Sequence, residues 1–342
     1  MNLNSDTSII EADSNNNYIN PIIYNNKLEP LLQEEQRLCL APIQHPDIWA
    51  LYKKQLNSFW TAEELDLSND YADYKKLDLN TQYFIKNILA FFATSDGTVF
   101  LNIMDNFSKE IKIMEAQICY QFQGTMEGIH SEVYSLMIEM IIHDQKEKNE
   151  LFNAIETMPC IMKKAEWARC WADKSMPFAN RLIAFAIIEG IFFSGSFCAI
   201  YWLKQKNILP GLCMANEFIA RDEGMHCAFA YLLYSKIINR IDESIVHKMI
   251  LDGVNIEKEF INDSLPCRLI GMNSALMSQY IEFIADNLLV NLGYTKLFNV
   301  SNPFGFMDNI TLGLKNNFFE NRTTTYQKVD LTNISKEIDE DF

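Results

Sequence analysis

Residues 182–203 read LIAFAIIEGIFFSGSFCAIYWL. The stretch has the length and hydropathy of a membrane-spanning helix, yet Glu189 sits near its middle as the single charge. A carboxylate at bilayer depth is costly without a partner, and a carboxylate in a protein core is costly for the same reason. Either this is a span with a misplaced acid, or it is the central helix of a bundle whose acid meets positive charge. The surrounding sequence decides between the two.

Three other long stretches repeat the theme at helical spacing. The first runs from near Asn80 to Phe107, and Ile85, Leu89, Phe92, Asp96, Val99 and Ile103 fall on one face. The second runs from about Lys112 to His143, with Glu127, His130, Tyr134, Met137 and Ile141 on its stripe. The quoted stretch is entered after SMPFANR, where Pro177 suits a first helical turn. A fourth follows LPG at 209–211 and carries Ile219, Glu223, His226, Ala230 and Leu233 together. Each of these otherwise apolar faces carries at least one acid.

Two segments share a pattern, EGIH at 127–130 and EGMH at 223–226. Residues three apart lie on one helical face, so Glu and His can reach the same ion. Two E-x-x-H matches among five histidines arise by chance in roughly one protein in thirty, so the motifs alone decide little. Their order decides more: acid, E-x-x-H, acid, E-x-x-H, with Asp96 and Glu189 as the single acids. Asp96 and Glu127 are 31 positions apart and Glu189 and Glu223 are 34 apart, room for one long helix and a turn. That is the arrangement of ferritin-like bundles with a di-metal carboxylate core, so the expected fold is all-α, a ferritin-like helical bundle. Four carboxylates balance two divalent ions, which removes the penalty of burying Glu189. Oxygen ligands with one imidazole per ion suit iron or manganese.

Composition agrees. The chain has 342 residues with only 12 Gly and 9 Pro, which favours long helices over turn-rich sheet. Its net charge of -16 argues against general nucleic-acid binding and against docking on an anionic membrane. Eight cysteines with no C-x-x-C pair, and a start without a basic region followed by an apolar one, read as a cytoplasmic chain with reduced thiols. Residues 1–40 read as a flexible N-terminal segment, 41–310 as the helical domain, and 311–342 as a flexible tail. The tail ends KEIDEDF, a solvated acidic end or a docking peptide anchored by Ile338 and Phe342.

The segments FFATSDG, MEGIHSEVYSL, IIEGIFFSGSF and RDEGMHCAFA resemble the metal-site motifs of the class I ribonucleotide reductase small subunit, most closely its eukaryotic and large-DNA-virus branch. FWTAEELDL, LIGMNSALMSQYIEFIADNLL and NPFGFMDNITL extend the resemblance over about residues 45–342. The resemblance implies a homodimer whose di-iron centre uses oxygen to make a tyrosyl radical, which the large subunit needs to reduce ribonucleotides. It implies metal ligands Asp96, Glu127, His130, Glu189, Glu223 and His226, and the radical on Tyr134. Phe193, Phe197 and Ile219 match the family's apolar pocket around the radical. A transfer chain through His130, Asp222, Trp60 and Tyr326 is implied, with Arg221 as a candidate for managing a proton. The tail would dock on the large subunit through Phe342. Lys336 departs from the family's usual aromatic six residues from the end, which bears on the affinity of that tail.

Each of these residues also has a plainer reading. Tyr134 alone would be a core tyrosine, Trp60 a packing residue, and Phe193 and Phe197 ordinary core. His45, His143 and His247 and the fifteen methionines read as structural. Two other functions fit a di-metal bundle: an oxidase or monooxygenase acting on a substrate at the metals, and a non-catalytic iron-storage or binding protein. The first needs no surface relay or docking tail, and the second no Tyr134.

Overall fold

The computed structural model of the protein describes residues 29–33, 37–264 and 266–307. Tyr326, Lys336 and Phe342, residues 1–28 of the expected flexible segment 1–40, and the expected flexible tail 311–342 lie outside the described residues. Among the described residues there is no strand, and nine α-helices reach ten residues. They are α1 (Pro46–Asn57), α2 (Leu79–Asn102), α3 (Met114–Ile141), α4 (Pro159–Ala172), α5 (Phe178–Ile187), α6 (Ser194–Gln205), α7 (Pro210–Ser235), α8 (Glu243–Lys258) and α9 (Ser274–Leu292). All belong to the unit that ends at Phe304.

At some helix starts a side chain satisfies the first N–H groups. Asp78 caps α2 by accepting from the amides of Asn80 and Thr81 at 3.0 and 3.1 Å. The start of α7 is capped from far away in sequence: buried Asp70 accepts from the amides of Gly211 and Leu212 at 2.9 and 2.7 Å. A side chain at 211 would drive its Cβ to 2.7 Å from the Asp66 carbonyl oxygen, so only glycine fits that approach. Pro177 lies one residue before α5, as its N-cap, and its ψ of 144° is not helical.

Two stretches, Leu79–Glu110 and Phe178–Gln205, are long and apolar enough to cross a membrane. In the second, 89% of the most apolar window is buried inside the protein itself. Its leucines, isoleucines and phenylalanines are core residues, each contributing about 1.5–3 kcal/mol by burial. α5 and α6 both pack on α7, while α2 and α3 form the most extensive helix pair. The stripes read from the sequence face inward: Ile85, Leu89, Phe92, Val99 and Ile103 on α2 and the turn after it, and Met137 and Ile141 on α3, are all buried.

The quoted stretch is not one uninterrupted α-helix. Residues Ile188–Phe192 form a π segment between α5 and α6, and Glu189 lies within it. A second π segment, Ile103–Phe107, continues α2. π segments are rare and concentrate at functional sites.

Candidate metal centre

Four helical elements send acids and imidazoles to one place. α2 supplies Asp96, α3 supplies Glu127 and His130, the π segment supplies Glu189, and α7 supplies Glu223 and His226. All six are buried, with none more than 3% exposed. Their ligand atoms fall into two groups, each within 4.8 Å of one another: Asp96, Glu127 and His130, and Glu127, Glu189, Glu223 and His226. Glu127 belongs to both. Glu223 also reaches across, with its Oε1 3.1 Å from His130 Nδ1 and its Oε2 3.1 Å from His226 Nδ1. His226 Nδ1 lies 2.9 Å from Glu127 Oε1.

Close approach is not the same as hydrogen bonding. Asp96 Oδ2, both oxygens of Glu127 and of Glu189, Glu223 Oε1 and His130 Nδ1 are buried without a hydrogen-bond partner. Buried polar atoms are almost always paired. Seven such atoms gathered into two compact groups fit a set of ligands for cations. Carboxylates with one imidazole per group select hard or borderline divalent ions such as iron and manganese.

The electrostatics say the same. Burial, with Glu127 alongside, pushes the Asp96 carboxyl well above the ordinary range. Burial, with Glu223 alongside, does so for Glu189. Burial alone would lower both imidazoles, but Asp222, Glu127 and Glu223 outweigh it at His130, and Glu223 and Glu127 raise His226 to about 9. Burial opposes ionisation of Glu223 too, yet His226 and its other neighbours hold it below the usual carboxylate range. Without cations, then, the cluster retains protons that divalent ions would displace.

Around the cluster, Tyr134 is fully buried, one helical turn beyond His130, and its hydroxyl has no hydrogen-bond partner. Burial, reinforced by the negative charge of Asp96, pushes the phenol far above its ordinary pKa. Phe92 stacks on it with ring centroids 4.5 Å apart and planes within 3°. Phe92 in turn contacts Phe197 at 5.1 Å and Phe193 at 5.8 Å, and Ile219 is buried on α7. Phe92 was legible as a core residue, one turn before Asp96 on the same stripe, but nothing in its spacing marks it as the ring against Tyr134.

On the other side of His130 a polar line leads outward. His130 Nε2 lies 3.3 Å from Asp222 Oδ2, and the Trp60 indole N–H donates to that same oxygen at 2.7 Å. The imidazole and indole rings stack at 5.9 Å. Arg221 donates to Asp222 Oδ1 through Nη2 at 3.2 Å and to the Ser58 carbonyl at 2.8 Å. Trp60 and Asp222 are 162 positions apart in sequence.

A helical bundle with a carboxylate shared between two acid-and-imidazole groups belongs to the ferritin-like class of di-metal carboxylate proteins. Comparison with known proteins makes the assignment narrower. The family described as "Ribonucleotide reductase, small chain" matches residues 37–303. The ribonucleoside-diphosphate reductase small subunit of Dictyostelium discoideum is 56% identical over 303 residues, covering 88% of this chain and 90% of that protein. The human ribonucleoside-diphosphate reductase subunit M2 is 51% identical over 320 residues, covering 92% and 82%. Among solved structures, the ribonucleotide reductase Rnr4 homodimer of Saccharomyces cerevisiae superimposes with a TM-score of 0.77 at 39% identity, covering 82% of this chain and 90% of that one. This chain belongs to the ribonucleotide reductase small-chain family.

Proposed function

We propose that this protein is the radical-generating small subunit of a ribonucleoside-diphosphate reductase, with Tyr134 as the radical site. The observation that supports this reading above the others is continuity. His130 of the acid and imidazole cluster, Asp222 and Trp60 stand in one connected line, and the buried phenol of Tyr134 lies one helical turn from His130 on the same helix. A storage protein or a self-sufficient monooxygenase has no use for such a line.

Asp96, Glu127 and His130 would hold one ion, and Glu189, Glu223 and His226 the other, with Glu127 and Glu223 reaching both. Iron is the favoured metal. With oxygen, the reduced iron pair supplies the oxidising power to take one electron from a nearby phenol. The chain's own residues govern the fate of the phenol and its proton. Tyr134 is neutral at physiological pH because burial disfavours phenolate, so it gives up a proton with its electron. Phe92, Phe193, Phe197 and Ile219 exclude water and reductants from the resulting neutral radical. The Asp222 carboxylate fixes the tautomer of His130 by accepting from Nε2, which leaves Nδ1 free to face the cluster. The same carboxylate accepts the indole proton of Trp60, so an electron leaving that ring moves beside a fixed negative charge.

Beyond Trp60, Tyr326 would continue the path, and Phe342 would anchor the tail on the large subunit, as the resemblance implies. A homodimer is favoured by the likeness to the yeast Rnr4 homodimer, and α2 exposes Leu79 and Tyr83 near its start and Leu101 near its end. Eight cysteines outside any disulfide fit the cytoplasm, and the net charge of -16 fits neither nucleic-acid nor membrane binding.

The test is electron paramagnetic resonance after adding ferrous iron and oxygen to metal-free protein. A tyrosyl signal is expected, and Tyr134→Phe is expected to bind both ions without giving it. An identical signal persisting in Tyr134→Phe would overturn the radical assignment.

A further inference from the structure

Glu189 owes its position to the helix break that contains it, and that break is held from outside. The π segment ends at Phe192, three residues beyond Glu189. The Phe192 carbonyl oxygen accepts from the Lys164 ammonium at 2.7 Å. Just past the break, the Gly195 amide in the first turn of α6 donates to Glu257 Oε1 at 3.1 Å. Lys164 and Glu257 form an ion pair with each other, and their side chains are 3% and 0% exposed. The ammonium also lies over the faces of Phe91 and Phe260, 4.0 and 3.7 Å from their centroids. Thus α4 and α8 jointly grip the downstream end of the interruption, where it gives way to α6.

The signs match the backbone they touch. A cation meets a carbonyl at the closing end of one helical run, and an anion meets an amide at the opening end of the next, as helix-end dipoles favour. Fold stability is a weak reason for such a pair, because a buried ion pair rarely outperforms well-packed apolar residues. Its contacts with the backbone are a better reason. Gly195 is part of the fit, since a Cβ there would lie 2.5 Å from Glu257 Oε1.

We propose that Lys164 and Glu257 are positioning residues for the Glu189 carboxylate, holding the helix break that aims it at Glu127, Glu223 and His226. The inference rests on the metal-pair reading above, and it goes beyond that reading in assigning a role to two residues that touch no ligand atom. Glu189 belongs to only one of the two donor groups. Loss of the pair should therefore weaken one ion and spare the other.

The experiment is a calorimetric titration of metal-free protein with manganese(II), with amide hydrogen exchange followed in the same metal-free samples. The wild-type chain is expected to take two ions. Lys164→Met combined with Glu257→Leu is expected to take one ion unchanged and the second at least tenfold more weakly, with faster exchange at Gly195. Lys164→Glu combined with Glu257→Lys restores an ion pair but sets the wrong charge against each backbone group. It is expected to show the same selective loss, whereas a pair valued only for its mutual attraction would be rescued. Wild-type affinity for both ions in either folded double variant would overturn the proposal, as would equal weakening of both. Should neither double variant fold, Gly195→Ala decides, because it unseats Glu257 without removing a charge: selective loss supports the proposal and unchanged binding overturns it. A wild-type chain that binds fewer than two ions would count against the metal-pair reading instead.

Discussion

Asp222→Asn alters almost no volume and removes one buried charge. Its Oδ2 accepts the Trp60 indole N–H at 2.7 Å and faces His130 Nε2 at 3.3 Å, while Oδ1 accepts from Arg221 at 3.2 Å. An amide oxygen in the Oδ2 position can still accept both ring donors, but as a neutral partner. Charge-assisted hydrogen bonds are about twice as strong as neutral ones, which costs about 1 kcal/mol for each of the two buried contacts. The Arg221 side chain is 31% exposed, so solvent screens its share and it adds little. The expected loss of stability is about 2 kcal/mol. At the metal centre, the imidazole loses the carboxylate that orients it, and such losses typically weaken a metal about 10–100-fold. The effect should fall on the ion held by Asp96, Glu127 and His130, the mirror image of the selectivity expected on removing Lys164 and Glu257. Titrating the metal-free variant with manganese(II), alongside chemical denaturation, measures both quantities. If Asp222→Asn bound both ions within threefold of wild type, Asp222 could not be what orients His130, and the proposed line from the cluster to Trp60 would lose its link.

Glu127→Gln removes the carboxylate common to both groups, so both ions should weaken more than tenfold, where loss of Glu189 alone should weaken one; the same titration distinguishes the patterns. Metal loading should strengthen as pH rises. Asp96 and Glu189 are held above the ordinary carboxylate range and His226 at about 9, so protons compete below those values and must leave on binding. Calorimetry in buffers of differing ionisation enthalpy should show proton release at pH 7, and pH-independent affinity between pH 6 and 8 would contradict this. Phe92→Ala takes away a ring that is 1% exposed and stacked on Tyr134. It should cost about 3–5 kcal/mol in denaturation and shorten the life of the tyrosyl signal, and a radical as persistent as wild type would show that Phe92 is not its shield.

Much of the bundle was legible because burial imposes a period. Asp96, Glu127, His130, Glu223 and His226 each fell on an apolar stripe at steps of three or four, and each is buried where that stripe faces inward. The π segment was not legible. Ile188–Phe192 is apolar throughout apart from Glu189 and Gly190, and an i→i+5 turn leaves no mark in composition that an i→i+4 turn would lack. Lys164 and Glu257 were overlooked for the opposite reason, since a lysine and a glutamate on separate helices read as surface residues until the fold buries them together.

By itself, then, the amino-acid order determined which side chains must avoid water and which helical faces carry acids, because periodicity is a local property of a chain whose hydrogen bonds are local. It also determined the family, because the motifs are contiguous. Tertiary structure alone decided that Glu127 lies in both donor groups, that one oxygen of Asp222 serves both Trp60 and His130, and that two distant charges clamp the break beneath Glu189. Those relations join residues up to 162 positions apart. They depend on how helices cross and on backbone hydrogen-bond register, and neither is written in the spacing of any one helix.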